Sequence, residues 1–161
     1  MKEIKLTQGK VVIVDDEDFE LLNKWKWRFD YKGYAIRSVN FSDGTKGSLY
    51  MHRLLLGIQK GDRRQSDHID GNGLNNQKTN LRACSSSENL CNRGIPKNNT
   101  SGYKGVKWHK GEQKWAAAIK KNGKYISLGY YNDKKEAAKI YNEAAIEHHG
   151  DFAFLNAIKE D

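Results

Sequence analysis

The chain has 161 residues, is 37 % hydrophobic, and carries 28 lysines and arginines against 20 aspartates and glutamates, a formal net charge of +8; it holds one domain or two small ones, and its charge points to an anionic partner. Two cysteines, Cys84 and Cys91, exclude a disulfide framework and a four-thiolate zinc site, leaving for zinc only a Cys/Cys/His/His set built with distant histidines. No apolar run long enough to span a bilayer and no secretion-signal pattern occur, so no membrane partner and a cytoplasmic location are expected.

Ile4–Leu6 and Val11–Val14 flank Gln8-Gly9 and read as a hairpin. Asp15 or Asp16 is placed to cap a short helix running to Lys24, with the acidic residues up to Glu20 at its positive end; this explains the acidic run better than a metal site does. Trp25, Trp27 and Phe29 alternate with Lys26 and Arg28 as in a strand. Tyr34–Val39 and Ser48–Met51 are two more strands around the turn Ser42-Asp43-Gly44, followed by a short helix from His52 to Leu56. Asp67–Asn76 reads as a strand end entering a long polar loop, Leu81–Ala83 as the returning strand, and Ser85-x-x-Glu88 as a capping box that starts a helix to about Arg93.

The polar stretch 94–101 holds the single proline and reads as a basic linker. Strands follow at Gly105–His109, Lys114–Lys121 and Lys124–Tyr130, the last two joined by the hairpin signal Asn122-Gly123. Asn132 or Asp133 then caps a long helix to His149, stopped by Gly150, whose alanine-rich stripe lets it lie close on a sheet. Trp115, Ala117, Ile119, Ile126 and Leu128 are expected to face that stripe, and Trp108 to pack in the core. From Arg93 to Lys124 the basic residues are opposed only by Glu112.

Chemistry concentrates where Asp67-His68, Asn80 and Asn89 fall in the pattern D-H-x11-N-x8-N. Cleaving a phosphodiester needs an activated water and a cation on the phosphate. Neighbouring side chains at a strand end point to opposite sides, so an Asp-His pair can offer one metal ligand and one base. Asn89, one turn into the capped helix, can direct its amide oxygen back towards the loop. Aspartate and asparagine oxygens suit Mg²⁺. Taken singly, Asn80 and Asn89 are ordinary turn or cap residues; it is their joint spacing that points to catalysis.

Asp67-His68-Ile69-Asp70-Gly71-Asn72, Asn80-Leu81-Arg82 and Ser87-Glu88-Asn89 resemble the ββα-metal motif of HNH homing endonucleases, in the variant with asparagine as its last residue. The resemblance covers residues 51–93. It implies that His68 is the general base, that Asp67 and Asn89 hold one Mg²⁺ or Mn²⁺, and that Asn80 orients the histidine and ties the loop. A supporting role near the phosphate falls to His52, Arg53 and Arg82.

Residues 101–156 resemble the plant APETALA/ethylene-response-factor DNA-binding domain through Tyr103-Lys104-Gly105-Val106-Lys107, Trp115–Ile119, Leu128-Gly129, Glu136-Ala137-Ala138, Tyr141–Ala145 and Leu155-Asn156. The resemblance implies a three-stranded sheet laid in a major groove and backed by a helix. DNA contacts are expected from Arg93, Lys97, Lys104, Lys107, His109, Lys120, Tyr125 and Ser127. Where the plant domains have arginines this chain has Lys104, Lys107 and Lys120, and lysine lacks the two-donor fork that reads guanine, so the plant target sequence does not carry over.

The expected fold is α+β. A β-rich region leads into a ββα nuclease module (1–93, core 51–93), then a linker (94–101), then a three-stranded antiparallel sheet packed on one long helix (102–161). The expected function is a site-recognising, homing-type endonuclease acting on duplex DNA, as a monomer on an asymmetric site or as a dimer. The alternatives are a non-catalytic DNA-binding regulator built on a degenerate nuclease, and an RNA-binding protein, which a groove-reading sheet disfavours.

Overall fold

A computed structural model describes residues 1–159. By its contacts the chain divides into two units, Met1–Ser86 and Ser87 onwards. Among the described residues four small antiparallel sheets and a long C-terminal helix make a mixed architecture, in line with the α+β class.

In the first unit β1 (Lys2–Lys5) and β2 (Val11–Val14) form the expected hairpin, with Gln8 and Gly9 at positive φ in its turn. Helix α1 (Asp16–Leu22) has Asp16, Glu17 and Asp18 in its first turn, where the helix dipole favours them. Asp15 precedes the helix without capping it through its side chain. Its carboxylate instead accepts from the Lys78 backbone N–H at 2.7 Å and the Gln77 amide at 3.1 Å. The alternating aromatic segment also differs from expectation, since only β3 (Arg28–Phe29) is strand. The buried Trp27 indole donates to the Leu22 carbonyl at 2.9 Å, and Trp25 stands edge-on to it at 6.4 Å. The chain there wraps the end of α1 and satisfies its carbonyls rather than pairing in a sheet.

Strands β3, β4 (Ala35–Asn40) and β5 (Lys46–Tyr50) form one sheet, with Arg28 opposite Ile36 and Ile36 opposite Tyr50. β5 runs directly into α2 (Met51–Leu55). Val12, Val14, Leu22, Trp27, Ala35 and Met51 form the core of this unit. β6 (Gln65–His68) pairs antiparallel with β7 (Leu81–Cys84), placing His68 opposite Leu81 and Asp67 opposite Arg82. α3 (Ser86–Asn92) follows.

In the second unit β8 (Val106–His109), β9 (Lys114–Lys121) and β10 (Lys124–Tyr131) form a sheet in the order β10-β9-β8, and α4 (Lys134–His149) packs on it. Asp133 caps α4 by accepting from the Lys135 N–H, and Gly150 ends it. Ala117, Ile119, Ala137, Ala138, Tyr141 and Ala145 form the core. Leu128 joins it; Ile126, paired with Ile119 ahead of the register shift between Ser127 and Gly129, lies on the same face but is 37 % exposed. Trp108 packs edge-on against Trp115 at 5.2 Å yet remains 43 % exposed. No helix among the described residues is long and apolar enough to cross a membrane.

Candidate active site and nucleic-acid interface

His68 ends β6 and is buried. The Tyr34 ring stacks on it at 5.8 Å and the His52 ring meets it edge-on at 5.0 Å. Burial holds its pKa below the usual histidine value, against the opposing pull of Asp70, Asn76 and Asp67. At neutral pH the imidazole is therefore uncharged and able to accept a proton. His52, on α2, is held lower still, at about 3, by burial and then by His68 and Arg53.

The loop after β6 is fastened at both ends. Asn80 is buried; its side-chain oxygen accepts from the Asp70 N–H, and its amide donates to the Asp70 carboxylate and the Asn75 carbonyl at 2.9 Å each. The Asp70 carboxylate also takes the Asn72 N–H and the Asn75 amide. Burial tends to raise the Asp70 pKa, but these hydrogen bonds prevail and lower it. The loop is further stitched to β2, where Ile13 N–H donates to Leu74 and its carbonyl accepts from Asn76. Each asparagine thus has a structural task, and together they fasten the loop that follows Asp67 and His68.

Asp67 is buried and its carboxylate accepts from the Arg82 guanidinium, Nε at 2.8 Å and Nη2 at 2.6 Å. Arg82 therefore holds the Asp67 carboxylate. Arg53 donates to the backbone carbonyls of Gln59 and Arg64, which ties down the segment after α2. Asn89 is half-buried on α3. Among the described residues no group of three or more His, Cys, Asp or Glu side chains converges as a metal site, and Cys84 and Cys91 are not joined in a disulfide. Asp67 and Asn89 are both oxygen donors of the kind Mg²⁺ takes, and Mg²⁺ needs few protein ligands because it keeps several waters.

In the second unit the strand register puts Lys107, His109, Lys120, Tyr125 and Ser127 on the sheet face opposite α4, with Ala116 and Ala118 between them. Tyr125 is 76 % exposed, the Lys120 ammonium lies 5.5 Å from its ring, and His109 meets Tyr130 edge-on. This face is cationic and open, with Lys107, Lys120 and Tyr125 exposed. Lys104 lies elsewhere. Its ammonium donates to the Cys91 carbonyl at 2.6 Å and the Arg93 carbonyl at 2.5 Å, and burial lowers its pKa to about 8. Arg93 and Lys97 are exposed in the segment after α3.

A family model described as AP2 domain matches residues 101–150. Over 155 residues, 94 % of this chain and 77 % of the relative, the sequence is 30 % identical to an uncharacterized HNH endonuclease of Acanthamoeba polyphaga mimivirus. The chain belongs to the HNH endonuclease family. It is also 40 % identical over 87 residues to Protein 3.8 of Escherichia phage T7, covering 54 % of this chain and 71 % of that one. An ethylene-responsive transcription factor of Arabidopsis thaliana is 41 % identical over 66 residues, 40 % of this chain but 14 % of the plant protein. No solved structure matches.

Several residues around His68 carry no local sequence signal. Tyr34 and Tyr50 come from a different sheet, and Asp15 reaches the loop from the N-terminal hairpin, more than sixty positions away. Asn76, which faces His68, is one asparagine among several. The second glycine of Gly71-Asn72-Gly73 was the available hint of a close approach, since a Cβ at Gly73 would come within 2.7 Å of the Tyr34 ring.

Proposed function

We propose that this protein is a site-recognising DNA endonuclease of the homing type, in which residues 1–93 hydrolyse or nick a phosphodiester and an AP2 domain finds the site on duplex DNA. The observation that carries the reading is the buried, uncharged His68 beside Asp67, on a strand end braced by Asn80, in a chain of the HNH endonuclease family. His68 takes the proton of the attacking water. Asn80 keeps the loop closed over Asp70 and so holds the end of β6 in place. Asp67 and Asn89 would hold Mg²⁺ or Mn²⁺, which when bound supplies positive charge at the phosphate and the leaving oxygen. Arg82 orients the Asp67 carboxylate. The open face of the AP2 sheet, with Lys107 and Lys120, lies on the duplex, joined by Arg93 and Lys97 on the phosphates, most simply as a monomer on an asymmetric site.

The test is incubation of the full chain with supercoiled plasmid libraries, with Mg²⁺ or with EDTA, followed by sequencing of the nicked ends. The expected result is metal-dependent cutting at a preferred site, with His68→Ala binding DNA as the wild type does but cutting at least about a hundredfold more slowly. Equal cutting by both proteins, or binding with no cutting under any divalent metal, overturns the catalytic reading; the latter outcome leaves a DNA-binding regulator.

A further inference from the structure

We infer that Tyr34 is a positioning residue for the general base, and that the turn at the start of β4 belongs to the nuclease site. This rests on the reading that His68 accepts the water's proton. The imidazole sits at a strand end, and rotation about χ2 of histidine is broad and roughly two-fold. Left alone, the ring would exchange its two nitrogens and wander in angle. Here the Tyr34 ring covers one face, 5.8 Å away and tilted by 26°, while His52 abuts from the side at 5.0 Å and 85°. Tyr34 is itself braced edge-on by Tyr50 at 5.9 Å and by His52 at 5.0 Å. The rings therefore form a wall in which His68 has one orientation.

Two further observations show that Tyr34 is held for this position. The buried Asp30 closes the turn before it, accepting from the Lys32 N–H at 3.0 Å and the Tyr34 N–H at 2.9 Å, while the Asp30 N–H donates to the Tyr34 carbonyl. The loop that follows His68 also runs against the same residue. A Cβ at Gly73 would come 2.5 Å from the Gly33 carbonyl oxygen and 2.7 Å from the Tyr34 ring, so a residue without a side chain is needed there. One tyrosine thus sets both the imidazole and the loop. Its contacts are made by the ring, so phenylalanine should serve and leucine should not.

The experiment uses the full chain as wild type, Tyr34→Phe and Tyr34→Leu. Three quantities are measured: the single-turnover cutting rate at saturating protein with Mg²⁺, the Kd for the same DNA without cutting, and the carbon-bound ring protons of His68 by NMR, assigned with His68→Ala. Tyr34→Phe should match the wild type in all three. Tyr34→Leu should cut at least about tenfold more slowly with unchanged Kd, as expected when a reacting group is displaced. Its His68 ring protons should move downfield on losing the ring current of the stacked tyrosine. Tyr34→Leu cutting at the wild-type rate overturns the inference. So does a rate loss matched by loss of DNA binding and of the native Trp27 indole resonance, because that is a general failure of the fold. If no variant cuts, the nuclease reading fails instead, and the resonances still decide: His68 protons already at ordinary positions in the wild type, or unmoved in Tyr34→Leu, overturn the positioning role by themselves.

Discussion

Lowering the pH from 7 to 5 should weaken the first unit by about 2 kcal/mol through His52 alone. His52 is 6 % exposed, its ring is enclosed by Tyr34, Tyr50 and His68, and its Nδ1 has no hydrogen-bond partner among the described residues. Burial, His68 and Arg53 lower its pKa from 6.5 to about 3. The group is depressed in the folded state, so its stabilising effect is complete above 6.5 and is lost progressively as the pH falls towards 3, because the unfolded chain takes up a proton that the folded chain refuses. Each pH unit in that window costs about 1.4 kcal/mol, and the distance from 6.5 down to pH 5 gives the stated figure. The assay is urea unfolding at both pH values, followed by the Trp27 indole N–H resonance, which reports on the first unit. His52→Phe keeps an aromatic ring in place and removes the proton site. Groups other than His52 titrate in both proteins, so the difference between them reports His52 together with its coupling to His68. If the wild type and His52→Phe lose the same stability between pH 7 and 5, the reasoning is wrong.

On the AP2 sheet, Lys107→Ala and Lys120→Ala should each flatten the salt dependence of DNA binding by roughly 0.9 in slope, read by fluorescence anisotropy across a salt series. Lys104→Met should leave that slope unchanged and lower the unfolding midpoint of the second unit, because its ammonium is committed to the carbonyls of Cys91 and Arg93. A larger slope change for Lys104→Met than for Lys107→Ala would contradict that placement. Gly105→Ala should destabilise the second unit by about 2–5 kcal/mol in urea followed by the Trp115 indole, adding left-handed strain to overpacking. Gly105 has φ +76°, and a Cβ there would run into the Tyr141 ring. A change below about 0.5 kcal/mol, the size of an ordinary surface substitution, would refute that close packing.

Sequence alone determined those features that depend on a few neighbouring residues. Asn122-Gly123 forms its hairpin with both residues at positive φ, as a tight turn between right-twisted strands requires. Asp133 and Gly150 bound α4 near where capping chemistry placed the ends. The Asp67-His68, Asn80 and Asn89 spacing pointed to the HNH family, to which the chain belongs, and strand alternation put Lys107, His109, Lys120, Tyr125 and Ser127 on one face, because a pleated strand alternates its side chains whatever it packs against. Alternation failed at Trp25 and Trp27, where an indole bonded to the Leu22 carbonyl took the place of strand pairing. Tertiary structure alone decided what surrounds His68. Its wall comes from the turn before β4, from β5 and from α2, its loop is fastened by β2 and Asp15, and Arg82 faces Asp67 across the β6–β7 pair. Periodicity and turn chemistry act over a few residues, whereas the burial and ring packing that keep this histidine uncharged and oriented come from segments distant in the chain, which meet only once the core has formed.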